Sequence, residues 1–136
     1  DAPNVELVSA QPKQLAEVLC VEDHPACLKV VQEALREFAE VRGAGSVQRA
    51  LAELEQCTPT LLLLDLDLPD GDGMQVLDAM RLNPRLQAVP VLVISAAADD
   101  AVFAEARRRG AQACLAKPID LAQVRRVALS LLGQAL

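Results

Sequence analysis

Aromatic residues are almost missing from this chain. Only Phe38 and Phe103 represent Phe, Trp and Tyr among 136 residues, although 52% of the sequence is hydrophobic. The core must therefore be aliphatic, assembled from Leu, Val and Ala. So few rings leave little for bases to stack on, and a net charge of −6 opposes a phosphate backbone. Direct nucleic-acid binding is not expected. Cysteine pairs are missing too: Cys20, Cys27, Cys57 and Cys114 lie apart with no C-x-x-C, and Cys20, His24 and Cys27 fit no zinc spacing. Cys20 and Cys114 sit in apolar runs where a free thiol packs as a small hydrophobe. Reduced thiols and a cytoplasmic location are the expectation. No apolar run approaches membrane-spanning length and no signal-peptide pattern opens the chain, so membrane contact is not expected. The length suits one domain. The chain starts at Asp1 without Met, as a piece cut from something longer would.

What the sequence does have is concentrated between Leu61 and Gly73. Leu61-Leu62-Leu63-Leu64 is too short for a helix of its own and reads as a strand buried on both faces. It runs into Asp65, and Asp67, Asp70 and Asp72 follow in a Pro/Gly-rich loop. An apolar strand that ends in acid is costly unless the acid has a task. In open parallel sheets, ligands bind at the carboxyl ends of strands, where Asp65 would sit.

The remaining chain alternates strand and helix. Residues 1–15 show no clean period and read as a lead-in or linker, leaving 16–136 as the domain. Val18–Val21 is a strand ending in Glu22-Asp23, and Pro25 opens a helix whose apolar spacing runs to about Phe38. Val41 marks a short edge strand with Gly43 and Gly45 in the loop after it, and Ser46 caps the second helix. Met74, Leu77 and Met80 carry the inward face of a third helix, and Val89–Ser95 is a fourth strand. Asp99-Asp100 favour the start of a fourth helix with Val102, Phe103 and Ala106 inward, closed by Gly110. Ala113–Ala116 is the fifth strand, and Asp120 caps the last helix. Five such alternations with short links predict an α/β fold. The expectation is a doubly wound (βα)5, flavodoxin-like parallel sheet in the order 2-1-3-4-5, with helices on both faces.

That order gathers the polar strand ends on one rim: Glu22 and Asp23, Asp65, Ser95 and Lys117. Three carboxylates there repel unless a cation lies among them, and all-oxygen ligands suit Mg²⁺. A lysine and a hydroxyl alongside are what a phosphoryl group needs. His24 reads as a surface or capping residue, Asp70 and Asp72 as plain loop acids, and Arg107-Arg108-Arg109 as a solvated helix end.

Glu22-Asp23, Asp65 with Leu68-Pro69 and Gly73, Ser95-Ala96, and Lys117-Pro118 agree in order and spacing over residues 16 to 133. On these motifs the chain resembles the receiver domain of two-component response regulators. Leu-Pro-Asp-Gly-Asp-Gly is especially similar to receivers attached to hybrid sensor kinases. The resemblance implies that Asp65 accepts a phosphoryl group from a sensor histidine kinase or histidine phosphotransfer protein. It implies Mg²⁺ on Glu22, Asp23, Asp65 and the backbone carbonyl of Asp67, with Ser95 and Lys117 on the phosphoryl group. Self-catalysed phosphorylation and dephosphorylation are implied, rather than conventional multi-turnover catalysis. A dimer through the face of the fourth helix, fifth strand and fifth helix belongs to the same picture.

One position departs from that pattern. Receivers usually carry Tyr or Phe three residues before the lysine, and here Cys114 stands there. The switch pair is therefore Ser95 and Cys114, and the usual output through that face is put in question. A degenerate receiver acting only as an interaction module is one competing class. A haloacid-dehalogenase-like phosphatase, with Asp65 as nucleophile and Asp67 as general acid, is another. The phosphatase needs a late acidic pair, and only Asp120 follows Lys117.

Overall fold

The computed structural model describes residues 15–97 and 99–135. The lead-in expected over residues 1–15 lies outside the described residues, apart from Leu15. Five strands, β1 (Ala16–Val21), β2 (Ala39–Ala44), β3 (Leu61–Asp65), β6 (Val91–Ser95) and β7 (Ala113–Ala116), form one sheet in the order β2-β1-β3-β6-β7. All four pairings are parallel. Counted among these five, the order is the expected 2-1-3-4-5. A two-residue antiparallel ribbon, β4 (Asp67–Leu68) with β5 (Gly71–Asp72), was not expected and folds the acidic loop back on itself.

The four leucines of β3 explain why the sheet is buried on both faces. Successive strand side chains point to opposite sides. Leu62 and Leu64 therefore join Leu19, Val21, Val91 and Val93 in one core. Helices α2 (Val47–Gln56), α3 (Met74–Arg81) and α4 (Asp100–Arg108) cover it with Ala50, Leu54, Leu77, Met80 and Ala106. Leu61 and Leu63 join Val18, Cys20, Leu92 and Ile94 in a second core. Helices α1 (Pro25–Leu35) and α5 (Leu121–Ala135) close that side with Val31, Leu35, Val124, Ala128 and Leu131.

Local signals set most helix ends. Ser46 Oγ accepts from Arg49 N at 3.0 Å, Asp99 Oδ1 from Val102 N at 2.8 Å, and Asp120 Oδ1 from Ala122 N at 2.9 Å. Gly110 ends α4 at φ 115°, a left-handed conformation that favours glycine. Three expectations shift. Helix α1 stops at Leu35, and Phe38 lies in the turn beyond, where the Arg125 guanidinium sits 5.1 Å from its ring centroid. Gly43 lies inside β2 rather than in the following loop, and the Leu28 side chain of α1 packs over it, with Cδ2 2.8 Å from where a Cβ would stand. On α4 only Ala106 is fully buried; Val102 and Phe103 are half-buried.

Candidate functional site

Parallel strands present their carboxyl ends together, and here β1, β3 and β7 place three charged groups in contact. Asp65 ends β3 and Glu22 follows β1; both carboxylates are essentially without solvent exposure. Lys117 follows β7, with its N–H bonded to Ser95 O at 3.0 Å and a cis bond to Pro118. Its ammonium reaches Asp65 Oδ2 at 3.1 Å and Glu22 Oε1 and Oε2 at 3.1 and 3.3 Å. Asp65 Oδ1 accepts from Asp67 N at 3.1 Å, so both oxygens of Asp65 are engaged.

The loop after β3 is shaped for this placement. A Cβ on Gly73 would lie 2.5 Å from the Asp65 carbonyl oxygen and 2.9 Å from Leu66 Cα, so only glycine lets α3 start this close to Asp65. Asp72 Oδ1 accepts from Met74 N at 2.9 Å and caps α3. Asp70 reaches across to α2, accepting from Val47 N at 2.8 Å and Gln48 N at 3.0 Å. These two acids are therefore caps rather than plain loop charge.

Burial raises the Asp65 carboxyl, and the Asp67 N–H and Lys117 oppose that without reversing it; the net direction is upward. Burial acts the same way on Glu22. There the His24 backbone and ring and the Lys117 ammonium outweigh it, and the group lies below its ordinary value. Lys117 loses solvation on burial, yet Asp65 and Glu22 hold its ammonium above the usual range. An unlike pair of buried acids with one ammonium between them carries a net negative charge in a poorly solvated place.

One oxygen of this group stands out. Glu22 Oε1 is buried and accepts no hydrogen bond, because Lys117 approaches it at ion-pair distance but outside hydrogen-bond geometry. A buried carboxylate lone pair without a donor is costly. Carboxylate oxygens of Glu22, Asp23 and Asp65, with a ring nitrogen of His24, lie within 4.8 Å of one another. The orphaned oxygen and this all-carboxylate front fit a divalent cation such as Mg²⁺.

Ser95 ends β6 and is buried, and among the described residues the one hydrogen bond of its hydroxyl is from Ala97 N at 3.1 Å. Among the described residues its hydroxyl makes no hydrogen bond to Asp65 or Lys117. Cys114 in β7 is half-buried against the core under α4, with Sγ 4.0 Å from Phe103 O. Burial pushes its thiol up, so it is a neutral packing group. Arg109 at the end of α4 bridges Glu105 (2.8 Å) and Asp78 (3.1 Å), so part of the arginine run is committed to local pairs. His24 is a surface residue, as expected, with its side chain 62% exposed. It occupies the N-cap position of α1 but its ring makes no cap; Nδ1 lies 3.0 Å from Glu22 Oε2 and 3.3 Å from Asp23 Oδ1.

Comparison with known proteins agrees with this geometry. The family model of the response regulator receiver domain matches residues 18–128. The KDP operon transcriptional regulatory protein KdpE of Escherichia coli K12 is 36% identical over 119 residues, covering 85% of this chain and 52% of that protein. The signal transduction histidine-protein kinase BarA of the same organism is 29% identical over 114 residues, 83% of this chain and 12% of that one. The chain thus spans about half of the one relative and a small part of the other. A crystal structure of a CheY-like receiver domain protein from Methanospirillum hungatei superposes with a TM-score of 0.80 at 26% identity, covering 90% of this chain and 97% of that one.

Proposed function

We propose that this chain, which belongs to the response regulator receiver domain family, takes a phosphoryl group onto Asp65 and changes signalling state as a result. The donor is a phosphohistidine on a sensor histidine kinase or histidine phosphotransfer protein. An Asp65 carboxylate oxygen forms the new bond to phosphorus, the P–N bond breaks, and the imidazole leaves with the electron pair. The chain's task is positioning and charge neutralisation, since phosphoryl transfer asks little covalent chemistry of the protein. Lys117 stays within reach of the Asp65 carboxylate and neutralises charge on the transferred group. Glu22, Asp23, Asp65 and the Asp67 carbonyl would hold Mg²⁺, which supplies further neutralisation of phosphoryl oxygens. Ser95 turns from Ala97 N to donate to the phosphoryl group. The domain runs over residues 16–136 and works in the cytoplasm, with no contact to nucleic acid or membrane of its own.

The observation that carries this reading is the pairing of one ammonium with two buried carboxylates, one of which keeps an oxygen that accepts no hydrogen bond. The test is incubation with acetyl phosphate and Mg²⁺ followed by intact mass measurement. One added phosphoryl group on the parent chain and none on Asp65→Asn is expected. Equal labelling of the variant overturns the assignment, and steady turnover of phosphomonoesters would favour the phosphatase class instead.

A further inference from the structure

We propose that His24 is a nitrogen ligand of the cation site, which biases the site toward borderline divalent ions such as Mn²⁺ and Co²⁺ over Mg²⁺. The proposal rests on the reading of Glu22, Asp23 and Asp65 as the cation-binding front of the phosphoacceptor site. Four observations carry it. First, the His24 ring is not spent on capping α1, although it occupies the capping position. Second, its Nδ1 has turned into the site, 3.0 Å from Glu22 Oε2 and 3.3 Å from Asp23 Oδ1.

Third, the spans come close to those one ion bridges. Ligand atoms on opposite sides of one small divalent ion lie about 4.2 Å apart, twice a typical metal–nitrogen or metal–oxygen bond. The four candidate atoms here already fall within 4.8 Å of one another. Fourth, Glu22 Oε1 is buried and accepts no hydrogen bond, with the Lys117 ammonium 3.1 Å away at ion-pair distance. The other carboxylate oxygen of Glu22, Oε2, takes the hydrogen bonds from His24 and Lys117, so Oε1 keeps hydrogen-bonding capacity for a metal.

The donor set then decides which ion. Mg²⁺ favours oxygen ligands and dehydrates reluctantly, so an imidazole adds little to its binding. Manganese and cobalt accept carboxylate and imidazole together and bind such sites more tightly in the order of the first-row series. On loading, the Nδ1 lone pair goes to the ion and the ring carries its proton on Nε2. The ring is 62% exposed and Asp23 30%, which leaves an open route from solvent.

The test uses the untagged chain, stripped with a chelator and loaded with Mn²⁺. His24 is the only histidine, so an imidazole ¹⁴N coupling in pulsed electron paramagnetic resonance assigns itself. The coupling is expected in the parent chain and absent in both His24→Ala and His24→Gln. Titration calorimetry should show Mn²⁺ and Co²⁺ affinity falling by at least about tenfold in these variants, the lower bound for disturbing a metal's ligand shell. Mg²⁺ affinity should fall much less. Mn²⁺ bound without nitrogen coupling overturns the proposal, as does an equal loss for Mg²⁺ and Mn²⁺, which would mark His24 as a structural neighbour. Those results leave the phosphoacceptor reading standing. Failure of the parent chain to bind any of the three ions, or binding indifferent to Asp23→Ala, would instead sink the cation site itself, and His24 as its ligand with it.

Discussion

At the ends of β1, β3 and β7, two buried carboxylates each lie 3.1 to 3.3 Å from one partly buried ammonium. At the end of β6 and under α4, the side chains of Ser95 and Cys114 are neutral, and their hydrogen bonds go to backbone groups. In the first region every group depends on the others for its charge to be tolerable. In the second, each group is satisfied alone and can be changed at small cost. Burying a charge without a partner costs several kcal/mol, whereas exchanging one neutral hydrogen bond for another costs about 1 kcal/mol or less. The molecule is thus stiff where a phosphoryl group would be received and soft where its arrival would be passed on.

The largest effect that could break this contrast is removal of the ammonium. Lys117→Met leaves Asp65 and Glu22 buried against each other with no cation between them. Urea unfolding in the presence of chelator should show a loss of about 3 kcal/mol, the scale for breaking a buried pair from one side. Saturating Mg²⁺ should return part of it, since a second cation can take the same place. A loss under about 1 kcal/mol is the scale of a surface pair. It would mean that the rim is not held together by charge.

Backbone closeness is the second support of the stiff region. In Gly73→Ala the new methyl meets the Asp65 carbonyl and Leu66 Cα, both backbone atoms that cannot swing aside. Destabilisation of about 1–3 kcal/mol is expected, as for overpacking elsewhere. Slower labelling by acetyl phosphate should accompany it, because the strain falls on the acceptor's own peptide. Unchanged labelling with lowered stability would separate the loop's structural task from its chemical one.

The stiff region was largely legible in the sequence, for a physical reason. Strand ends in a parallel sheet gather by topology, so Glu22, Asp65 and Lys117 needed only the strands to be identified. Caps such as Ser46 and Asp99 act within three residues, and the four leucines of β3 announce burial on both faces. Whatever depended on packing between distant segments was not legible. Gly43 looks like a loop glycine until Leu28 is seen lying against it. His24 could cap or turn inward, and only the neighbouring carboxylates decide. Asp70 serves the helix that starts at Val47, 23 residues earlier, and no local pattern encodes that.

Asp70 gives a smaller effect with a pH signature. Hydrogen bonds from Gln48 N and Val47 N hold its carboxyl below the ordinary range. A depressed carboxyl stabilises the fold above its unfolded-state value and loses that contribution as pH falls through its folded value. Asp70→Asn should therefore lower Tm at pH 7 by about 2–4 °C, a modest shift for a domain of this size. The gap to the parent chain should close as the buffer is taken below the ordinary Asp range near about 4. A gap that persists into acid would show that shape, not charge, makes the cap.

The smallest effect tests the soft region, where an aromatic ring would be expected and Cys114 stands instead. Its thiol is neutral and half-buried, so Cys114→Ala removes one sulfur's worth of packing, below about 1 kcal/mol. Ser95→Ala also changes little in the resting state, since Ser95 only accepts from Ala97 N. The two should part company after acetyl phosphate and Mg²⁺ are added. Hydrogen exchange along α4 should respond in Cys114→Ala as in the parent chain, and the response should be lost in Ser95→Ala. The physical ground is that a transferred phosphoryl group offers acceptor oxygens, to which a hydroxyl responds strongly and a buried neutral thiol does not. A larger loss from Cys114 than from Ser95 would place the signal in β7, and the region here taken as soft would carry a second, tighter coupling.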